Sequence, residues 1–224
     1  GARAEREQHH LLLYPLFVTG FLIDDFLAER AGDEQVVLSS ASAKTALGVA
    51  HAARLRGAPV VGLTSAGNVA TVAALGVYDE VLAYDDVAGL ARVPSVFVDI
   101  AGNADVVHAV HHHLAGLLGH SMVVGNTSWD HQATTTGDLP APAPEFFFAP
   151  TQVAQRTQDW GAALLEQRIS AAWRAFADWA DGWLSFEQVA GADAVVATLA
   201  DLAAGRTDPR TGFVATLRAS QGAP

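Results

Sequence analysis

Between residues 36 and 126 the chain alternates short, almost unbroken apolar runs with stretches of helical character. The runs are VVLSS (36–40), PVVGLT (59–64), EVLAYD (80–85), SVFVDIA (95–101) and HSMVVGN (120–126). A strand with one wet face alternates polar and apolar residues, whereas a strand covered on both faces does not. Helical segments over 43–56, 68–75 and 104–118 fall between the runs. Strand–helix–strand repetition of this kind predicts an α/β fold with a doubly wound parallel sheet. A sixth strand, EFFFAP (145–150), follows a loop over 127–144 that is rich in Thr, Gly and Pro.

The flanks read differently. The early run LLLYPLFVTGFLIDDFL is interrupted by Pro15 and Gly20 and carries Asp24 and Asp25. A membrane span needs roughly 20 apolar residues, so this run reads as soluble and the chain as cytoplasmic. No small-residue cleavage site follows it. Asp24 and Asp25 point about 100° apart on a helix and read as exposed charges. After Pro150 the chain is helical, with Gly161 as a kink and Trp173, Phe176, Trp179 and Trp183 forming a core-facing stripe. A helix over 193–204 ends at Gly205, and GFVATL (212–217) reads as a last strand. The predicted organisation is a leading helix over 1–35, a sheet domain over 36–150 and a helical extension with a final strand over 151–224.

Half the residues are hydrophobic and 17% are charged, which is the composition of a globular chain. The net charge of −11 argues against nucleic acid or an anionic membrane as partner. A local anion site remains open, since backbone N–H groups and one or two cations suffice. The lack of cysteine excludes disulfides and thiolate chemistry.

VVLSSASAKTALG (36–48) is a strand running into a small-residue turn and a helix. An ATP-type phosphate loop would need glycines where Leu38 and Ala43 stand, because its backbone adopts conformations that disfavour a Cβ. Asp99, ending a hydrophobic strand, could serve a magnesium ion in such a site, but the missing glycines argue against ATP. A dinucleotide turn tolerates small residues better. Ser40, Ala43 and Ala46 are small, Ser42 and Thr45 carry hydroxyls, and Lys44 places positive charge at a helix N-terminus. The second strand ends in LTSAGN (63–68), where a carboxylate would select against a 2′-phosphate. Thr64, Ser65 and Asn68 are neutral donors instead, which favours NADP(H) over NAD(H).

In these segments the chain resembles the medium-chain dehydrogenase/reductase superfamily, in its zinc-free quinone-oxidoreductase branch. Residues 36–68 are similar to that branch's first strand, AAGGVG-type turn, helix and second strand. VAALGVYDEVLAYDD (72–86) resembles its LGAD-x-V-x-x-Y segment, which implies that Tyr84 faces a 2′-phosphate. VFVDIAGN (96–103), MVVGNTS (122–128) and AGRTDPRTGFVATL (204–217) resemble its DxxG strand end, its GxxS loop and its closing GKVVL strand. FLIDDFLA, LSSASAKTA, FFFAP and DWG together resemble an uncharacterised group within the branch. The resemblance implies a Rossmann-type doubly wound sheet of about six strands that binds NADP(H), with Gly102, Asn103, Gly125 and Asn126 flanking the nicotinamide. It also implies a homodimer built by pairing sheet edges. Members of the superfamily begin with a catalytic β-barrel domain, and residue 1 here falls at the helix leading into the cofactor domain.

Two further clusters carry chemistry. His108, His111 and His112 share a helix face at metal-compatible spacing, but read as a solvated face covering the sheet. GNTSWDHQ (125–132) leaves the carboxyl end of the fifth strand, where open α/β sheets bind ligands. There His131 is the candidate proton donor, Asp130 its orienting partner, and Trp129 a wall for an apolar substrate. The leading expectation is an NADP(H)-dependent oxidoreductase acting on a small apolar carbonyl or enone, without a metal. The alternative is a non-catalytic NADP(H)-binding or oligomerisation module.

Overall fold

A computed structural model describes residues 2–124, 139–204 and 206–217. Six strands form one all-parallel sheet: β1 (Gln35–Leu38), β2 (Val60–Thr64), β3 (Glu80–Ala83), β4 (Ser95–Asp99), β5 (Leu118–Val124) and β6 (Glu145–Phe147). Their spatial order is β3-β2-β1-β4-β5-β6, the doubly wound order in which the chain reverses direction between β1 and β4. The central strands β1, β2 and β4 are buried along their whole length, the physical basis of their unbroken apolar runs. Helix α1 (Ala2–Ala31) precedes the sheet, and α2 (Lys44–Leu55), α3 (Val69–Ala73) and α4 (Ala104–His113) form crossovers. α3 and α4 end earlier than their sequence patterns suggest, the chain turning at Ala74 and at Leu114.

The described chain divides into two compact units, Pro15–Arg174 and a second made of Gly1–Tyr14 with Ala175–Pro224. The larger holds the six-stranded sheet, most of α1, α5 (Ala149–Trp160) and the start of α6 (Ala162–Ala180). The long helical stretch after Pro150 is two helices, separated by Gly161 at φ +81°. The smaller unit contains β7 (Ser185–Ala190), α7 (Ala192–Ala203) and β8 (Thr211–Thr216), with β7 and β8 paired in parallel. β7 escaped the sequence reading because SFEQVA carries Glu187 and Gln188 and sits directly after a helix. The aromatic stripe packs inward within each unit. Trp173 meets Phe17 at 5.4 Å, while Phe176, fully buried, meets Trp179 at 5.5 Å.

Helix α1 corrects two expectations. Pro15 and Gly20 do not break it, and from His10 to Ala31 it is apolar and long enough to cross a membrane. Its apolar side is spent on the protein interior, with Phe17, Leu22, Ile23 and Leu27 each at most 1% exposed. Gly20 is there because α2 comes too near for a side chain. A Cβ would lie 2.7 Å from the backbone carbon of Gly48. Asp24 and Asp25 are not exposed charges. Asp24 is 7% exposed and pairs with Arg56, whose guanidinium also donates to the Gly32 carbonyl. Asp25 accepts from Gln152 and from Arg156, itself only 2% exposed, so the two carboxylates serve two different clasps.

Candidate functional site

The turn after β1 closes tightly although no glycine stands in it. Ser40 has φ +51°, a left-handed conformation that glycine adopts more cheaply. Three contacts hold it. The Ser40 N–H donates to the Tyr84 hydroxyl oxygen at 3.1 Å, and the Ala41 N–H to the Leu63 carbonyl at 3.0 Å. The Tyr78 hydroxyl donates to the Ala41 carbonyl at 2.8 Å. Close approach of the turn to β2 is made possible by Gly62, where a Cβ would come 2.7 Å from that of Ala41. A glycine lost from the turn is therefore matched by one in the neighbouring strand, which the turn sequence alone could not reveal.

Beneath the turn, Ser39 and Asp99 lock β1 to β4. The Ser39 hydroxyl donates to Asp99 Oδ1 at 2.7 Å, and its oxygen accepts from the Ile100 N–H at 2.7 Å and the Ala101 N–H at 2.9 Å. Asp99 also accepts from the Gly102 N–H at 3.2 Å. Burial pushes the Asp99 carboxyl above the ordinary carboxylate range, with the Ser39 hydrogen bond opposing. A side chain committed in this way orders the strand ends.

The candidate cofactor residues gather at the carboxyl ends of the strands. Ser40, Ser42 and Ala43 make the turn, and Lys44 and Thr45 begin α2. Ala43 occupies the N-cap with no side-chain cap hydrogen bond, and no acidic residue lies in the first turn. The first N–H groups of a helix want an acceptor, and an uncapped, carboxylate-free start suits a phosphate. Thr64 is buried where β2 ends, with Ser65 and Asn68 in and beside the 3₁₀ turn that follows. Tyr84 follows β3, half-buried, its hydroxyl proton still a donor while its oxygen accepts from Ser40. Burial raises the Tyr84 phenol, so it stays protonated. Gly102 is at φ +64°, and Asn103 caps α4 by accepting from the Asp105 N–H at 3.0 Å. These groups fit an NADP(H) adenosine and pyrophosphate on chemistry. Gly125, Asn126, Trp129, Asp130 and His131 lie outside the described residues.

The histidine cluster is not one face. His108 and His112 lie with ring centres 4.0 Å apart and tilted by 31°, but His111 is fully buried. Its Nδ1 faces the Pro140 carbonyl at 3.0 Å, which can only accept, so Nδ1 carries the proton. Nε2 then accepts from the Ser121 hydroxyl at 2.8 Å. His111 is thus a neutral tie between α4, β5 and the segment leading to β6, and the solvated-face expectation fails for it. Among the described residues, no group of three or more His, Asp or Glu side chains is placed to hold a metal.

Burial holds His51, His111 and His120 below the usual histidine range. For a histidine depressed in the folded state, the unfolded chain binds the extra proton first. Stability is therefore full above about pH 6.5 and falls as pH drops through the depressed folded values. Asp24 and Asp99, raised by burial, act in the opposite sense. The melting temperature should fall between pH 7 and pH 5, and His111→Asn should shrink that fall while costing about 1–3 kcal/mol at pH 7. An unchanged pH slope in the variant would show that His111 does not stay neutral.

Residues 1–208 match the model of DUF2855, a protein family of unknown function. The chain belongs to that family. No curated protein matches the sequence. Solved structures share the DUF2855 chain's fold at low identity. CurA of Vibrio vulnificus, in complex with NADPH, aligns with TM-score 0.54 and 14% identity over 90% of this chain and 62% of its own. The yhdH oxidoreductase of Salmonella enterica, in complex with NADP, aligns at 0.55 and 14% over 88% of this chain and 60% of its own. A Mesorhizobium loti protein, provisionally assigned as an NADPH:quinone reductase, aligns at 0.55 and 12% over 89% and 58%. The chain thus spans roughly three fifths of these structures, which bear out the Rossmann-type sheet.

Proposed function

We propose that the β1–α2 turn binds NADP(H), and that this chain is the cofactor half of an oxidoreductase acting on a small apolar carbonyl or enone. The observation that carries this reading is the uncapped, carboxylate-free start of α2, set beside a β2 end whose side chains, Thr64 and Ser65, are neutral. Fold neighbours whose structures contain NADPH or NADP support it. The bound cofactor would supply hydride transfer. The first N–H groups of α2 and the hydroxyls of Ser42 and Thr45 would hold the pyrophosphate, with Lys44 adding charge. Thr64, Ser65, Asn68 and Tyr84 would donate to the 2′-phosphate, and Gly102 and Asn103 would border the nicotinamide.

NADPH should bind more tightly than NADH, by about tenfold, or roughly 1.4 kcal/mol. The margin is modest because Asp85 and Asp86 follow Tyr84 and place negative charge on the same strand end. Lys44→Ala should weaken NADPH by about 1–3 kcal/mol. Fluorescence titrations of both cofactors at fixed salt decide the matter. Equal affinity, or preference for NADH, would refute the nucleotide assignment.

The sheet also suggests a homodimer. β6 is one of the two edge strands, where Phe146 is 39% exposed and Phe148, just after the strand, 57%. An apolar sheet edge invites pairing with a second chain. Light scattering at tens of micromolar should give twice the chain mass, and a monomer there would count against edge pairing.

A further inference from the structure

A cavity of about 170 Å³ opens between the last turns of α1, strands β5 and β6, and the first turn of α5. It shares no residue with the β1–α2 turn. Its walls include Phe26, Arg30, His120, Met122, Phe147 and Gln152. The register explains the floor. His120 and Met122 are two apart on β5, and Met122 pairs with Glu145, two before Phe147, so all of them share one sheet face. Phe26 closes the slot, 5.5 Å from the His120 ring and edge-on to Phe147 at 5.7 Å.

Two polar features stand out against these apolar walls. His120 is only 9% exposed, yet its Nε2 has no hydrogen-bond partner. Buried polar atoms are nearly always paired, so an unpaired nitrogen on a side chain that lines a cavity points to a group that comes from outside. Arg30 lays its guanidinium 3.6 Å from the centre of the Phe26 ring, which holds a fixed positive charge at the cavity. Gln152 is already committed to Asp25. The volume is close to that of an engineered cavity, about 150 Å³, that accepts benzene.

We propose that this cleft binds a small monocyclic aromatic carboxylate, with the ring among Phe26, Met122 and Phe147 and the carboxylate between Arg30 and His120 Nε2. A planar ring matches aromatic walls, and a guanidinium and an imidazole N–H together satisfy a carboxylate. Glu145 also lines the cleft and opposes an anion, so affinity must depend on Arg30. Burial depresses the His120 imidazole, and a bound carboxylate would raise it, so binding should take up protons as pH falls towards 6.

Calorimetric titration of the 224-residue chain with benzoate, phenol and benzylamine tests the proposal. Benzoate should bind saturably with one site per chain, and phenol and benzylamine at least tenfold more weakly. Arg30→Gln should weaken benzoate tenfold or more and leave NADPH affinity unchanged, while His120→Phe should remove benzoate binding. Should His120→Phe fail to fold, the His120 ring nitrogens of the unaltered protein, followed by NMR, must still shift on adding benzoate. Absence of benzoate binding at millimolar concentration would overturn the proposal, as would an unchanged affinity in Arg30→Gln. Benzylamine binding as tightly as benzoate would overturn it too, and assign the cleft to cations through Glu145.

Discussion

Replacing Arg156 by methionine should cost the fold about 3–5 kcal/mol, the range for removing one partner of a buried ion pair. The guanidinium is 2% exposed and donates to Asp25 of α1, with Glu29 and Asp159 as further partners. It also lies 4.8 Å from the centre of the Trp160 ring. These carboxylates raise the Arg156 guanidinium further, the Glu29 hydrogen bond contributing most, so its charge is never in question. The Glu29 and Asp159 carboxylates are 56% and 36% exposed, and exposed pairs contribute little. Asp25, 14% exposed, is the partner that matters. Without Arg156 its charge is left facing an apolar methionine, with Gln152 still donating to it. Asp25→Asn should therefore soften the effect of Arg156→Met, the double variant losing less than the two singles together. Urea unfolding at neutral pH measures all three. A loss under 1 kcal/mol for Arg156→Met would mean that the clasp is solvated and that α5 is held by apolar contact alone.

That clasp also shows why parts of the molecule could be read from sequence and parts could not. β1, β2 and β4 were legible because full burial on two faces leaves a local trace, a run of apolar side chains. The turn within 36–48 was legible as a tight strand-to-helix turn from its small residues. What shapes it was not, since Gly62 of β2 and Tyr78, two residues before β3, act on Ala41 across space. Asp24 and Asp25 looked like helix charges because nothing nearby announces Arg56 or Arg156, which lie 32 and 131 residues away along the chain. His111 followed the same logic. Its spacing with His108 and His112 suggested a shared face, but its partners, Ser121 and the Pro140 carbonyl, belong to later segments. Short-range pattern gives the elements, and long-range pairing gives the roles of polar side chains within them.

The 224-residue chain alone should show little reductase activity towards quinones or enones, even when it binds NADPH. Hydride transfer needs donor and acceptor carbons held about 3.5 Å apart in a site closed to water. In the proposed site, Gly102 and Asn103 border one side of the nicotinamide. In the superfamily that the sequence resembles, the facing wall comes from an N-terminal barrel domain, and this chain spans roughly three fifths of the solved structures sharing its fold. The smaller unit has surface to spare for another body. Val196, Leu199 and Leu202 are 66%, 58% and 45% exposed along α7. They recur every three residues, an apolar stripe of the kind that packs against a partner. A longer form carrying an N-terminal barrel should therefore oxidise NADPH well above the background of the isolated chain. In that form His131→Ala should lower the rate about a hundredfold or more if His131 donates the proton, the usual scale of acid catalysis. Substrate-dependent NADPH oxidation, followed by the loss of its absorbance, separates the outcomes. Robust turnover by the isolated chain would reject the requirement for a second domain. NADPH binding without turnover in either form would favour the non-catalytic module, because the cofactor site would then be intact while the chemistry it implies is absent.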